Sequence, residues 1–124
     1  MTVRVEIPMA LPSVANLREH WATKARRVKA QRHAVQLAMT WRRRVPLPVV
    51  VTLTRIGLRR LDSDNLQGAF KAVRDQVAAQ LEVDDADPRV TWCYQQEKGR
   101  SGVRIELEER LVGVVDPGPE AVAE

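Results

Sequence analysis

The sequence predicts a small α/β domain with the element order β-α-β-α-β-β, in which two helices pack on a small mixed sheet. Three patterns carry this prediction: apolar residues alternate over 2–7, β-branched residues fill 49–56, and apolar residues recur at helical spacing over 66–81. The chain has 124 residues, of which 44% are hydrophobic and 29% charged, as is typical of one globular domain. We expect that domain to cover 1–111 and the Pro-, Gly- and Ala-rich stretch 112–124 to be a flexible tail.

The first two elements are predicted to be a half-buried strand and a long basic helix. The strand covers 2–7 and ends at Pro8. Ser13 is placed to cap the helix, and Pro46 and Pro48 stop it. The apolar positions of this helix recur at helical spacing and are Val14, Leu17, Trp21, Val28, Val35 and Met39.

The remaining elements are predicted to be a central strand, a second helix and two further strands. The run 49–56 is apolar on both faces, which predicts a central strand that helix covers on at least one side. The second helix is predicted over 66–81, with an apolar stripe formed by Leu66, Phe70, Val73, Val77 and Leu81. Strands over 89–96 and 103–108 follow, and the loop 99–102 is predicted to join them as a hairpin.

Composition and patterning also argue against several classes of protein. Stretches without charge, such as 45–54, are all far shorter than the roughly 20 apolar residues of a membrane-spanning helix. The N-terminus alternates like a strand and has no apolar signal core, so we expect a cytoplasmic protein without membrane contact. Cys93 is the only cysteine, which excludes an internal disulfide and a thiolate zinc cluster, and we expect it to pack in a strand.

Charge is unevenly distributed along the chain, although the net charge is only +4. The segment 18–44 holds nine Lys and Arg residues and one acid, Glu19, whereas 75–87 holds five acids and no Lys or Arg. Arginine accounts for 16 of the 20 basic residues, and its planar guanidinium suits phosphate oxygens. A clustered basic stripe is typical of nucleic-acid binding, with a solvated helix face as the alternative. The candidate DNA contacts are Arg18, Lys24, Arg26, Arg27, Lys29 and Arg32, together with Arg59 and Arg60 after the central strand.

Two clusters of aspartates flank the second predicted helix. Asp62 and Asp64 precede it, and Asp84 and Asp85 follow it. In extended chain Asp62 and Asp64 point to the same side, as shared ligation of a metal requires. Magnesium takes one or two carboxylates, water and substrate phosphate, and a metal so held can generate hydroxide that cuts a phosphodiester. Each acid alone also has a plainer role, because Asp64 suits a helix N-cap, Asp62 an Asx-turn, and the later aspartates a turn.

Helical spacing adds a lysine to this set. At about 100° per residue, Asp64, Gly68, Lys71 and Asp75 fall on one stripe of the second helix. Lys71 could neutralise charge on a transferring phosphate, or it could form a surface ion pair with Asp75 one turn later. The sequence does not choose between these two roles.

These motifs resemble the core of the RusA-type Holliday-junction resolvases, small dimeric endonucleases common in phages and prophages. In that family an Asp-x-Asp-Asn-Leu motif precedes a helix with Lys-x-x-x-Asp, and an Asp-Asp pair follows before a strand. Here 62–66, 71–75 and 84–85 match these motifs, and the resemblance extends over 3–107. It implies a RusA-like fold, a homodimer, branched DNA as the substrate and Mg²⁺ as the cofactor, with Mn²⁺ as a substitute ion.

The resemblance also implies roles for single residues. Asp62, Asp64 and Asp85 would hold the metal, and Lys71 would be the catalytic lysine. The family has that lysine four residues after the second aspartate, where this chain has Gly68, so Lys71 is shifted by three residues along the same helical face. Two functions follow: a magnesium-dependent, structure-selective endonuclease, or a non-catalytic branched-DNA-binding protein of the same fold. An RNA-binding module is the weaker interpretation, since only five aromatic residues are present, several of them at predicted core positions.

The separation of the two acid clusters raises a geometric question. A helix over 66–81 is about 24 Å long, which puts Asp64 and Asp85 near its opposite ends. Either this helix breaks early and the chain folds back, or a partner subunit completes the site. A homodimer would also match the two-fold symmetry of a four-way junction.

Overall fold

The computed structural model describes residues 2–13, 20–40 and 45–110, and this part of the chain forms four strands and three helices. In chain order the elements are β1 (Thr2–Ile7), α1 (Trp21–Thr40), β2 (Val49–Gly57), α2 (Ser63–Ala69), α3 (Lys71–Gln80), β3 (Val90–Lys98) and β4 (Gly102–Glu109). The predicted mixed α/β domain is confirmed, with one helix more than expected in these residues. The predicted tail 112–124 lies outside the described residues.

The strands form one mixed sheet in the order β1-β4-β2-β3. β2 runs parallel to β3 and antiparallel to β4, and β1 pairs with β4 at one edge. Val49, Val51 and Leu53 of β2 are completely buried, as suits the most apolar strand in an interior position. The predicted central strand is therefore confirmed.

The predicted hairpin between β3 and β4 is wrong, because β2 lies between these two strands. β3 ends beside the last residue of β2, and β4 begins on the other side of β2, with Gly102 opposite Ile56. The loop 99–101 thus crosses the end of β2 and spans two strand spacings, about 10 Å. A Cβ on Gly99 would lie 3.1 Å from Cγ2 of Ile56 in β2, so glycine permits this close crossing. A short glycine-flanked loop suits a hairpin and a crossing equally well.

The helices cover one face of the sheet and form the core with it. α1 packs on α3 and on β1. The sheet residues that are buried beneath them include Val5, Val51, Leu53, Ile105 and Leu107, which lie opposite one another across the strands. Cys93 is buried in β3, as predicted. None of the described helices is long and apolar enough to cross a membrane.

A break at Phe70 divides the predicted helix 66–81 into α2 and α3. Phe70 has φ −87° and ψ 1°, outside the values of a regular helix. Its side chain is completely buried, and its ring centroid lies 5.9 Å from that of Tyr94 on β3. All five residues of the predicted apolar stripe are buried, so the face was predicted correctly and the continuity of the helix was not.

α1 begins at Trp21, not at Ser13 as predicted. His20 acts as its N-cap, since its Nδ1 accepts a hydrogen bond from the Ala22 N–H at 3.2 Å. Trp21 is 76% exposed although its spacing placed it on the apolar face. The buried face of α1 starts only at Gln31, so its first turns project beyond the core. Val14, Leu17 and Arg18 lie outside the described residues.

Candidate functional site

A cleft of about 570 Å³ opens between α1 on one side and α2 and α3 on the other. We call it the α1–α3 cleft. The polar residues that line it are Lys24, Arg27, Gln31, Gln67, Lys71, Arg74, Asp75, Asp85 and Tyr94. The cleft therefore brings predicted DNA contacts on α1 together with the predicted catalytic lysine and one predicted metal ligand.

Arg74 connects the elements that form the inner wall of the cleft. Its Nη2 donates a hydrogen bond to the main-chain oxygen of Asp85 at 3.1 Å, and its Nε lies 3.3 Å from the Asp85 carboxylate. Its Nη1 donates to the Tyr94 hydroxyl at 2.8 Å, and its guanidinium carbon lies 4.6 Å from the centroid of the Trp92 ring. Trp92 Nε1 donates to the same Asp85 oxygen at 2.9 Å. Asp85 is thus held against α3 and β3 through its main chain and its side chain.

Lys71 pairs with Asp75 one turn later on α3, with 2.8 Å between Nζ and Oδ1. The hydrogen bond from Lys71 to Asp75 raises the pKa of the Lys71 ammonium above its already high ordinary value, so the group is fully charged at neutral pH. Lys71 can therefore stabilise negative charge but is unsuited to act as a general base near pH 7. Of the two predicted roles, the surface ion pair is confirmed, and the 68% exposed side chain still faces the cleft.

Asp62 and Asp64 lie at the start of α2. Asp62 is the N-cap, and its Oδ1 accepts a hydrogen bond from the Asn65 N–H at 2.9 Å. The cap is therefore two residues earlier than Asp64, because the helix begins at Ser63 and not at Leu66. Asp64 is exposed in the first helical turn, and neither aspartate lines the α1–α3 cleft.

The loop before α2 carries the other two predicted DNA contacts, Arg59 and Arg60. Both are exposed and line a separate cavity of about 230 Å³. Gln96 of β3 fixes this loop, since it donates to the Leu61 carbonyl and accepts from the Leu61 N–H, each at 2.8 Å. Arg55 adds a hydrogen bond from Nη1 to the Arg59 carbonyl at 2.7 Å. The predicted DNA contacts thus belong to two places on the surface.

Two aspartates after α3 are turn residues, which is the structural role that the sequence offered as the alternative to metal binding. Asp84 Oδ1 accepts a hydrogen bond from the Ala86 N–H at 2.8 Å, which forms an Asx-turn. Asp87 accepts from the main chain and the guanidinium of Arg89, and these hydrogen bonds lower the pKa of its carboxyl to about 2. These two acids stabilise the turn.

The predicted metal ligands are not assembled as one centre. Across residues 2–13, 20–40 and 45–110, no three His, Cys, Asp or Glu side chains are grouped closely enough to hold a metal ion. Asp62 caps α2 while Asp85 is held by Arg74 on α3. The predicted helix does break at Phe70, which is the first half of one alternative, yet this break does not join Asp85 to Asp62 and Asp64. The described residues therefore do not fit a three-carboxylate centre within one chain.

α1 forms a basic surface beside the cleft. The helix has five Lys and Arg residues and no Asp or Glu. Lys24, Arg26 and Lys29 are exposed, whereas Arg32 donates from Nε to Gln76 Oε1 at 3.0 Å and so connects α1 to α3. The predicted contact Arg18 lies outside the described residues.

Three residues of the cleft were not predicted from the sequence: Gln31, Arg74 and Tyr94. Gln31 had a detectable signal, because a polar residue between Val28 and Val35 interrupts an apolar helical stripe. Arg74 and Tyr94 had none, since their contact depends on how α3 lies on β3.

The chain was compared with protein families and with curated proteins. No protein-family model matches the chain, and a search of curated proteins finds no match either.

Proposed function

We propose that the protein binds branched DNA and cuts it as a structure-selective endonuclease of the RusA type. The observation that carries this proposal is the α1–α3 cleft, in which the basic helix α1 faces Lys71 and Asp85. An exposed helix with only basic charges is suited to the phosphates of a DNA backbone. A strand held on α1 would pass beside the Lys71 ammonium.

Lys71 supports the hydrolytic half of the proposal. Its ammonium is charged at neutral pH, as in an ordinary lysine, and Asp75 raises its pKa further, so it can stabilise the charge that develops on a transferring phosphate. Asp75 orients Lys71, and Arg74 orients Asp85. Lys71 and Asp85, the two proposed functional side chains of the cleft, are thereby each held by a neighbouring residue on α3.

Magnesium is the proposed cofactor, with Asp62, Asp64 and Asp85 as its proposed ligands. These three aspartates are not one group in the described chain. A joint site therefore requires that DNA binding draw Asp85 towards the start of α2, or that the second subunit of a homodimer supply a carboxylate. Substrate phosphate and water commonly complete such a site, so two carboxylates at a time can suffice.

The second candidate is a branched-DNA-binding protein without turnover. Two observations favour it: Gly68 stands where the family has its lysine, and the aspartates are held apart. Both candidates share the basic surface of α1 and differ only in cleavage.

The deciding experiment incubates the protein with a mobile four-way junction or a linear duplex, with Mg²⁺ or with EDTA. Asp64→Asn is the test variant, and Glu108→Gln on the exposed side of β4 is the matched control. Symmetric nicking of the junction that needs Mg²⁺ and Asp64 supports the endonuclease. Tight junction binding without nicks, in Mg²⁺ or Mn²⁺, supports the binding protein.

The same preparation tests the homodimer. Sedimentation equilibrium should give twice the chain mass of 14.0 kDa at working concentration. A single-chain mass, with cleavage intact, would instead mean that one subunit assembles its own site on DNA.

A further inference from the structure

Gln31 is the residue of the α1–α3 cleft whose environment the proposed function does not explain. Its side chain is only 4% exposed, and its buried Oε1 has no hydrogen-bond partner among the described residues. Buried polar atoms in folded proteins are nearly always paired. Gln31 lines the cleft, and a half-turn of its amide about the last side-chain bond exchanges the buried Oε1 with Nε2, so the same side chain has both an acceptor and a donor for a ligand in the cleft.

The surroundings of Gln31 define what can enter. Val28 and Ala72 supply apolar wall, and the whole cleft encloses about 570 Å³. The two acids of the cleft, Asp75 and Asp85, are already ion-paired with cations of α3. A ligand must therefore combine a small apolar body, a hydrogen-bonding edge and negative charge that suits a basic rim.

A nucleotide has this combination. We propose that the α1–α3 cleft holds one unpaired nucleotide of the bound DNA, with Gln31 at the edge of the base. Lys24 on α1 and Lys71 on α3 would face its phosphate from opposite sides of the cleft. This inference rests on the proposed DNA binding and adds a subsite for a base to it.

The nucleotide must be unpaired because a base in a duplex has its pairing edge occupied and its faces stacked. Enzymes that contact a base edge inside a pocket take the base out of the stack, and this costs least where pairing is already interrupted. A branch point supplies such a base. The amide of glutamine pairs with adenine through one acceptor and one donor, which makes adenine the base to test first.

The test compares two four-way junctions that differ only at one unpaired position beside the branch point, which carries adenine or an abasic residue. Affinity is measured by fluorescence anisotropy in EDTA, so that cleavage plays no part. The wild type should bind the adenine junction about tenfold more tightly, as one paired base edge predicts. Gln31→Leu keeps the volume of the side chain and should bind both junctions equally, at the abasic affinity.

Gln36→Leu is the matched control, because Gln36 lies on the exposed face of the same helix. It should keep the preference for adenine. If Gln31→Leu fails to fold, 2-aminopurine at the unpaired position of the wild-type complex gives a second measurement. Its emission should change on binding, while the same probe within a duplex arm should not respond.

The outcomes separate this inference from the proposed function. Tight binding of both junctions by the wild type, with equal affinity and a silent 2-aminopurine probe, overturns the base subsite and leaves DNA binding intact. Failure to bind any junction overturns the proposed function, and the subsite with it.

Discussion

Arg74 holds Asp85 at two points, through a 3.1 Å hydrogen bond to the main-chain oxygen and a 3.3 Å approach to the carboxylate. The first contact sets the path of the chain after α3, and the second orients the proposed ligand. Both partners are partly shielded from solvent, with side chains 25% and 36% exposed. The position of Asp85 therefore depends on a residue that carries no role in the resemblance.

Arg74→Met should lower the free energy of unfolding by about 2 kcal/mol, because it removes the charge-assisted hydrogen bonds to Asp85 and Tyr94. Urea denaturation followed by circular dichroism measures this change. Arg4→Met is the control, since Arg4 pairs with Glu6 on the exposed side of the edge strand β1 and should change stability by less than about 0.5 kcal/mol. Equal destabilisation of the two variants would contradict the role given to Arg74.

Substitutions of Asp62 and Asp64 should have different effects on stability and on cleavage. Asp62→Ala removes the N-cap of α2 and should cost about 1 kcal/mol in unfolding free energy. Asp64→Ala leaves the cap in place and should change stability by less than about 0.5 kcal/mol, while it abolishes junction cleavage. Thermal melts and cleavage assays on the same preparations compare them. A large loss of stability in Asp64→Ala would make Asp64 a structural residue.

Gly68→Lys should raise the rate of junction cleavage by about tenfold or more, because it adds a cation on α2 at the cleft where the resembling family has its lysine. Gly68→Gln is the control, with a long neutral side chain. Both variants should gain about 0.5–1 kcal/mol of stability, since glycine is unfavourable within an exposed helix. An equal rate for the two would show that charge at this position does not limit cleavage.

Removal of the exposed basic side chains of α1 should weaken DNA binding and lower its dependence on salt concentration. The triple variant Lys24→Ala, Arg26→Ala, Lys29→Ala should reduce the slope of log Kobs against log salt by about 3, because each DNA phosphate that is no longer neutralised keeps its counterion. Anisotropy titrations over a range of NaCl concentrations measure the slope. The double variant Arg59→Ala, Arg60→Ala tests the second group of predicted DNA contacts in the same way. An unchanged slope in this variant would mean that DNA contacts the basic side chains of α1 and not Arg59 or Arg60.

Acid should remove the contribution of Asp87 to stability. Arg89 lowers the pKa of Asp87 to about 2 from its ordinary value of 3.8, so the pair stabilises the fold above pH 4 and loses that effect as the pH falls towards 2. Asp87→Asn should therefore lower Tm at pH 7 and have little effect near pH 2. The difference in Tm between wild type and variant, followed from pH 7 to pH 2, checks the sign. A difference that grows in acid would be inconsistent with a lowered pKa.

The parts of the fold that the sequence predicted are those that depend on local pattern. The run 49–56 is apolar on both faces, and it became the interior strand β2. The position of the break at Phe70 was not predicted, since Phe70 occupies a correct position of the apolar stripe, and its burial beside Tyr94 has no signature in the local sequence. Trp21 was misplaced for a similar reason: spacing defines a face of a helix, but not how far the core extends along it.

In the candidate site too, the residues with a local sequence pattern were predicted and those that depend on tertiary contacts were not. The sequence identified Lys71 and Asp85, which do line one cleft, because charged residues clustered around one predicted helix. It missed Arg74 and Tyr94, whose hydrogen bond joins α3 to β3 and has no local signature. It also assigned capping to Asp64, where a helix that starts three residues earlier than predicted gives that role to Asp62.

The pairing of β1 with β4 has a consequence for how the protein is made. Thr2 lies opposite Glu108, so the strand of this sheet that is synthesised first hydrogen-bonds to the strand that is synthesised last. β1 therefore stays unpaired until β4 has been synthesised, and the edge of β2 that pairs with β4 is unpaired for the same time. During synthesis the unfinished sheet therefore exposes strand edges that can pair with other nascent chains.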